Sequence, residues 1–233
     1  MKWSGYEWIT QERWGQIHPD KPISWYDPSA VHITKEGYLL LKTHQNSKYF
    51  PDLSIESKIG VGLVSCKTHF SYGYYEIECK LPRGKNLWPA FWMWSFDSWP
   101  PEIDVFEGYT KRTRGYFSLD IRNPLGFWNV NTNIHLGKSP TNYSVGAKSH
   151  WMGIKDPSQN FMKYGCLWEK DKIEIYYNGR MVRSITDKNV LNELKGTTMN
   201  VVINNGVEPY IIPTDHEPSE FVIKYFKFIP SKS

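Results

Sequence analysis

The sequence lacks the features that mark several classes of protein. Its 3 cysteines among 233 residues are too few, and odd in number, for a disulfide framework. No apolar run reaches the length of a membrane-spanning helix, and the first residues lack the apolar stretch of a secretory signal. Basic and acidic residues nearly balance, at 28 Lys+Arg and 24 Asp+Glu, so the charge of +4 does not indicate nucleic acid as a partner. We therefore expect a soluble protein that binds neither membranes nor nucleic acid.

Aromatic residues, in contrast, are abundant. They make up 16% of the chain, with 11 Trp and 15 Tyr, which is more than an ordinary core needs. Flat rings at a surface stack on the C–H faces of sugars, whereas extra core packing is the competing interpretation and must account for at least half of these residues. The excess points towards a carbohydrate ligand without identifying one.

Short runs of alternating apolar and polar residues recur along the chain, for example at 74–81 and 171–177. This period of two is typical of half-buried strands. A hairpin turn is predicted at 71–74, with Cys66 and Cys79 placed symmetrically about it. The two cysteines would then face each other across two strands, as a disulfide or, in the interpretation we favour, as two buried thiols.

A second hairpin is predicted at Asn178-Gly179, because this dipeptide is a strong signal for a tight turn. The one helical pattern is short: Asp187 can cap it and Gly196 ends it. Many strands, no alternation with helices, and no repeat or linker predict an all-β fold. We expect a single domain over residues 1–233, a jelly-roll sandwich of two antiparallel sheets.

A tryptophan-rich run from Trp88 to Trp94 predicts a strand that carries Trp88, Trp92 and Trp94 on one face. Three neighbouring indoles are difficult to bury with every N–H satisfied. We therefore interpret this face as the wall of a sugar-binding cleft and not as core. Trp99, shortly before the next strand, is a further substrate-binding candidate.

That next strand, Glu102-Ile103-Asp104-Val105-Phe106-Glu107, carries three carboxylates between apolar residues. A period of two places Glu102 and Asp104 on one face, but Glu107 is out of phase unless a β-bulge near 105–106 adds one residue. Bulges are over-represented beside active sites, and solvated surface acids seldom interleave with core residues in this way. The sequence therefore predicts three acids pointing into one cleft.

Retaining glycosidases require this type of arrangement. One ionised carboxylate attacks the anomeric carbon, and one protonated carboxyl about 5–5.5 Å away protonates the leaving oxygen. Glu102 and Glu107 can fill these two roles, although their spacing does not say which of them attacks. Asp104, a like charge between them, would help to keep their protonation states apart. We expect hydrolysis of β-glycosidic bonds with retention, without a cofactor and without a metal at the site.

These residues resemble glycoside hydrolase family 16, whose hallmark is E-x-D-x-E or, in its laminarinase-like branch, the bulged E-x-D-x-x-E. The resemblance is weakest up to about Gln45. Beyond the acidic strand it extends to the segments 70–76, 80–85, 88–92, 167–180 and 221–228.

The resemblance implies a jelly roll with an open, concave cleft suited to endo-action. It implies that Glu102 is the nucleophile, Glu107 the acid/base and Asp104 the assisting acid. Asn133 and His135 lie on a run that looks like the family's neighbour of the catalytic strand. The resemblance makes Asn133 a substrate-binding candidate and His135 a candidate for contact with substrate or the acid/base.

Asn204 is a weaker substrate-binding candidate of the same kind. Two features depart from the family pattern. The first is that Pro100 and Pro101 precede the first glutamate where glucan-cleaving relatives commonly have glycine, a difference that bears on the cleft entrance and on the substrate. The second concerns calcium. Many relatives bind a structural calcium ion through an aspartate in the last strand. The matching position here is Lys224, whose charge would repel the ion, so we expect this calcium site to be absent.

The substrate is left open between two classes of polysaccharide. We slightly favour a β-1,3 or mixed-linkage glucan, with a marine-type galactan (agar, porphyran, carrageenan) as the alternative. Arg114 or Arg122 near the cleft would favour a sulfated galactan, because a guanidinium group suits sulfate. A non-catalytic lectin on the same fold is the alternative from another class, but the intact set of acids argues against it.

Transglycosylation uses the same covalent intermediate and is not excluded by the sequence. We further expect a monomer, located outside the cell or in the periplasm because that is the family's habit.

Overall fold

The computed structural model describes residues 1–18, 21–84, 86–108, 129–138, 141–151, 155–209, 212–213 and 216–232. In chain order the strands are β1 (Lys2–Trp3), β2 (Tyr6–Ile9), β3 (Ser24–Tyr26), β4 (Val31–Ile33), β5 (Leu39–Phe50), β6 (Ile55–Val61), β7 (Leu63–Phe70), β8 (Gly73–Lys80), β9 (Leu87–Ser95), β10 (Glu102–Glu107), β11 (Asn129–Leu136), β12 (Tyr143–Ser144), β13 (Lys148–Trp151), β14 (Met162–Trp168), β15 (Ile173–Tyr177), β16 (Arg180–Ile185), β17 (Met199–Val207) and β18 (Ser219–Pro230). Helical structure is confined to 3-10 turns at Pro28–Ala30 and Pro51–Leu53 and to the helix α1 (Lys188–Glu193) within these ranges. In the part of the chain that the structure describes, no helix is long and apolar enough to cross a membrane.

The strands form two large sheets. Sheet I has the order β1-β2-β7-β17-β9-β10-β11-β12, with β13 also paired to β11. Sheet II has the order β16-β15-β14-β8-β18-β5-β6-β3, with β4 also paired to β5. The described strand pairs are antiparallel, apart from the parallel pair of β3 and β6. The predicted all-β sandwich of two antiparallel sheets is confirmed.

The core lies between the sheets because alternate residues of each strand point inward. Phe106 of sheet I shows the packing: its ring lies 4.6 Å from that of Tyr164 and 6.2 Å from that of Phe221, both on sheet II. All three side chains are fully buried. The opposite face of sheet I is therefore free to carry polar residues, and we refer to it as the site face.

The hairpin predicted at 71–74 is wrong. β7 pairs with β2 and β17 in sheet I, whereas β8 pairs with β14 and β18 in sheet II, so this segment is a corner between the sheets. Both strands thereby turn an apolar face towards the same core. Cys66 and Cys79 accordingly lie in different sheets, and both are free, buried thiols.

The other local predictions are confirmed. β15 and β16 form a hairpin in which Asn178 and Gly179 have φ angles of 49° and 78°, as a tight primed turn requires. The side chain of Asp187 caps α1 by accepting a hydrogen bond from Asn189 N at 2.8 Å. Gly196, with φ at 77°, follows the helix.

Candidate active site

The acidic strand β10 lies between β9 and β11, and its pairing shifts between Asp104 and Glu107. This shift is the predicted bulge, which is confirmed. Because of it, Ile103, Val105 and Phe106 are all fully buried in the core. Two consecutive inward residues restore the phase, so that the three acids share the site face.

Each of the two glutamates is held by an indole group. Trp99 donates from Nε1 to Glu102 Oε2 at 2.8 Å, and Trp88 donates from Nε1 to Glu107 Oε1 at 2.9 Å. A hydrogen bond to a carboxylate is stronger than one between neutral groups and fixes the orientation of the acid. Trp99 and Trp88 thus position the two acids, in addition to offering ring surface.

His135 lies opposite Glu102 in the register of β10 and β11. Its Nε2 atom is 3.6 Å from Glu102 Oε1 and 3.5 Å from Asp104 Oδ2. The sequence placed His135 next to substrate or to Glu107, whereas the structure places it between the other two acids. Asn133 lies next to it, with its amide nitrogen 3.0 Å from His135 Nε2.

Burial and mutual repulsion control the protonation of the three acids. Burial raises the pKa of Glu102 well above its usual range, and the charges of Asp104 and Glu107 raise it further. Burial also raises the pKa of Asp104, with the charge of Glu107 adding to the effect. For Glu107 burial raises the pKa, while the Trp88 N–H and the charges of His135 and Lys21 oppose the rise. Burial and the close spacing of these acids therefore disfavour ionisation of all three at once.

Two cations compensate part of this negative charge, and the sequence patterns identified neither. Lys21, from the segment before β3, places its Nζ 4.3 Å above the Trp88 ring, and its charge lowers the pKa of Asp104 and of Glu107. Arg183 of β16 lies on the core side of sheet I and also lowers the pKa of Asp104.

Arg183 is an unusual core residue because it is only 5% exposed. It donates from Nη1 to Thr132 O at 3.1 Å and to Thr132 Oγ1 at 2.9 Å. Among the described ion pairs none includes Arg183, although a buried charge is costly without a partner. Burial lowers the pKa of Arg183, and its electrostatic interactions with Tyr177 and, across the sheet, with Asp104 oppose this effect.

The predicted row of open indoles differs from the structure. Trp94 is only 2% exposed, because Arg13 lies 4.2 Å over its ring and Trp14 packs against it with ring centroids 5.2 Å apart. Trp88 is covered on one side by Lys21. The prediction that Trp94 offers a platform to sugar is therefore wrong in this structure. No period in the sequence links the N-terminal residues to a strand about 80 positions later.

Trp92 lies between these two tryptophans and stacks on Trp94, with an interplanar angle of 27°. Its Nε1 donates to Asn204 Oδ1 at 2.8 Å, and Asn204 Nδ2 donates to Trp88 O at 3.2 Å. Asn204 of β17 thus fixes Trp92 and the backbone of β9. Asn204 therefore lies on the site face, in contact with the tryptophan row, and its role in substrate binding stays a prediction.

One group of potential metal ligands occurs among the described residues: Glu102, Asp104 and His135 place ligand atoms within 4.8 Å of one another. The two acids already lie 3.5–3.6 Å from His135 Nε2, and acidic groups are common without an ion, so we assign no metal to them. At the position of the family's calcium ligand, Lys224 donates to Glu78 at 2.9 Å. Arg114 and Arg122, which bear on a sulfated substrate, lie outside the described residues.

The chain is similar in sequence to a family of glycosyl hydrolases and to proteins named for β-glucans. A family model for glycosyl hydrolases family 16 matches residues 29–208, a span that contains all three acids. The chain is 31% identical over 185 residues to glucan endo-1,3-beta-glucosidase A1 of Niallia circulans, covering 75% of this chain and 25% of that protein. It is 32% identical over 122 residues to a beta-1,3-glucan-binding protein of Penaeus monodon, covering 46% of this chain and 29% of that protein. The chain thus spans a quarter to a third of the length of these two curated relatives.

Among solved structures, the chain is similar to the catalytic domain of an endo-1,3-beta-glucanase (laminarinase) from Thermotoga petrophila RKU-1. The TM-score is 0.72 at 21% sequence identity, covering 91% of this chain and 84% of that one. At this level of identity the likeness establishes the fold of the two sheets.

Proposed function

The chain belongs to glycosyl hydrolases family 16, and from this premise we propose that it is a retaining, endo-acting hydrolase of β-1,3 or mixed-linkage glucan. The observation that carries the proposal is the bulged strand β10, which turns Glu102, Asp104 and Glu107 onto one face. Two of these acids are each oriented by an indole N–H, as a nucleophile and an acid in fixed positions require. The relative from Niallia circulans, whose name states endo-1,3-β-glucosidase activity, supports glucan as the substrate.

In the first step the Glu102 carboxylate attacks the anomeric carbon of the sugar. The glycosidic C–O bond breaks, and the proton of Glu107 moves to the leaving oxygen. The products of this step are a glycosyl ester on Glu102, a released glycan end and an ionised Glu107. Asp104 and His135 lie beside Glu102 and keep it oriented for attack.

In the second step Glu107 acts as a base. It takes a proton from water, the water oxygen attacks the anomeric carbon from the opposite face to the ester, and Glu102 leaves as a carboxylate. The structure supplies a reason for the change of role. Esterification removes the negative charge of Glu102, and with it a repulsion that keeps the pKa of Glu107 high. The pKa of Glu107 therefore falls, and Glu107 becomes a carboxylate more readily. Transglycosylation would follow if a sugar hydroxyl replaced the water.

We further propose that residues 1–233 form one catalytic domain, active as a monomer and located outside the cell or in the periplasm. One other substrate class and one non-catalytic role of the same cleft are the alternatives. A sulfated galactan would need basic residues such as Arg114 or Arg122 at the cleft. A glycan-binding role without cleavage is favoured by one observation, the name of the relative from Penaeus monodon.

The test is release of reducing ends from laminarin, mixed-linkage glucan, agarose, porphyran and κ-carrageenan. Wild type should cleave a glucan, and Glu102→Gln should lose that activity. Glu220→Gln is the matched control, because Glu220 is an exposed acid of sheet II that pairs with Lys42. Binding of laminarin by the wild type without any cleavage would support the lectin instead, and cleavage of a galactan alone would replace the substrate.

A further inference from the structure

The bulge in β10 leaves one buried residue outside the pairing of sheet I. Asp104, Phe106 and Glu107 each have a Cα partner in β9, whereas Val105 has none in β9 or in β11. Val105 is nevertheless fully buried. A buried backbone carbonyl that a bulge removes from the ladder needs a hydrogen-bond donor from elsewhere in the molecule.

Tyr177, the last residue of β15 in sheet II, supplies that donor. Its hydroxyl group crosses the core and donates to Val105 O at 2.9 Å. The side chain is buried and packs against Tyr164, with ring centroids 5.1 Å apart. Burial raises the pKa of Tyr177 well above its usual range, so the hydroxyl group keeps the proton that it donates.

The strand next to the bulge is held from the same side. In the register of β10 and β11, Thr132 lies opposite the bulge, between the partners of Asp104 and Glu107. Arg183 donates from Nη1 to Thr132 O at 3.1 Å, through a side chain that is itself buried. Arg183 and Tyr177 belong to the two strands of one hairpin, β15 and β16. This hairpin of sheet II therefore forms hydrogen bonds with both strands of sheet I at the bulge.

The bulge decides the direction in which Glu107 points. Without the extra residue, the period of two would turn Glu107 to the face opposite that of Glu102. Glu107 follows Val105 by two residues, so a displacement of the Val105 carbonyl moves the backbone that carries Glu107. Glu102 lies before the bulge and has Cα partners in both neighbouring strands. A loosened bulge should therefore displace Glu107 more than Glu102.

We propose that Tyr177 and Arg183 are positioning residues for the acid/base Glu107, and that they act by fixing the bulge from the core side of sheet I. Each acts through a backbone carbonyl of the site strands and not through contact with substrate. The inference rests on the proposed hydrolase function, in which Glu107 protonates the leaving oxygen. It gives two residues of the sheet without the acids a role in the reaction.

Aryl β-glycosides of a β-1,3-linked glucose oligosaccharide test the position of Glu107 when their leaving groups differ. A dinitrophenyl group leaves with little help from an acid, whereas an unsubstituted phenyl group needs the proton of Glu107. In Tyr177→Phe, kcat/KM should fall by roughly 10–100-fold for the phenyl glycoside and change little for the dinitrophenyl glycoside. The loss should lie mainly in kcat, because the substitution leaves the side chains of the site face unchanged.

Arg183→Met should show the same selective loss, and Arg183→Lys, which keeps a charged donor, should retain more activity. The control is Tyr75→Phe, because Tyr75 is also buried and donates to the carbonyl oxygen of Ser71 at the corner between the sheets. This control should lose stability but keep the wild-type ratio of the two rates. Equal losses on both glycosides in Tyr177→Phe, or no loss on either, would contradict the positioning role.

A spectroscopic measurement that needs no turnover keeps the two proposals apart. The indole N–H of Trp88 bonds Glu107 and that of Trp99 bonds Glu102, so their NMR resonances report the positions of the two acids. Tyr177→Phe should shift the Trp88 resonance and leave that of Trp99 in place, and the tyrosine control should move neither. An unchanged Trp88 resonance would overturn the positioning role even if wild type is an active hydrolase. A shifted resonance together with an inactive wild type would retain the positioning of Glu107 and overturn the hydrolase.

Discussion

Replacing Lys21 by methionine removes a positive charge next to the acid/base and keeps most of the side chain. The Lys21 ammonium is 4.3 Å from the centroid of the Trp88 ring, and Trp88 Nε1 is 2.9 Å from Glu107 Oε1. Together these distances put the two charges at most roughly 9–10 Å apart, which at an effective dielectric constant of about 40–80 is worth about 0.4–0.9 kcal/mol.

The direction of the expected shift in the pH profile follows from the first step of the reaction, in which Glu107 must carry its proton. The Lys21 charge favours the ionised form and lowers the pKa of Glu107, against the effect of burial and of neighbouring Asp104. Glu102, His135 and the Trp88 N–H also face this group and are unchanged in the variant. Removing the cation should therefore raise the pKa of Glu107 and shift the alkaline limb of activity to higher pH.

The assay is the pH dependence of kcat/KM for wild type, Lys21→Met and Lys21→Arg. The methionine variant should shift the alkaline limb to higher pH, and the arginine variant should restore it. Lys42→Met, at an exposed ion pair with Glu220 on sheet II, is the control and should not change the profile. An alkaline limb that stays in place or moves to lower pH would refute this role of Lys21, as would a shift that arginine does not reverse.

Three further predictions concern stability. Tyr177→Phe removes a buried donor to Val105 O, 2.9 Å away at the bulge, and should cost about 1–3 kcal/mol in chemical denaturation. Gly165→Ala should cost about 1–3 kcal/mol, because its Cβ would overlap the Tyr74 hydroxyl; an unchanged midpoint would contradict the close packing. Burial raises the pKa of Glu12 to about 8, so wild type should lose stability as pH rises from about 4.3 to about 8. Glu12→Gln should lack this loss, and parallel pH profiles of the two proteins would contradict it.

Local features of the fold were predictable because a few neighbouring residues determine them. The period of two along β10 required one extra residue to bring Glu107 into phase with Glu102, and the structure has the bulge there. The dipeptide Asn178-Gly179 carries its own conformational preference, and so does the cap at Asp187. Each of these predictions rests on interactions within about ten residues.

Long-range features were not predictable, because residues far apart in the sequence determine them. Alternation shows that 63–70 and 73–80 are strands but not that they belong to different sheets, and the predicted hairpin between them was wrong. The covering of Trp94 by Arg13 joins residues about 80 positions apart, and no periodic signal marks such a contact. Arg183 looked like an ordinary strand residue, since only the folded sandwich places its charge behind Asp104.

The roles of the two glutamates are the central claim, and the products formed in azide test them most directly. With an aryl β-glycoside and azide, Glu102→Gly should give the α-glycosyl azide, because azide replaces the missing nucleophile and attacks from its face. Glu107→Gly should give the β-glycosyl azide, because azide then attacks the glycosyl ester on Glu102. The opposite pair of anomers would exchange the two roles, and a β-azide from both variants would contradict Glu102 as the nucleophile.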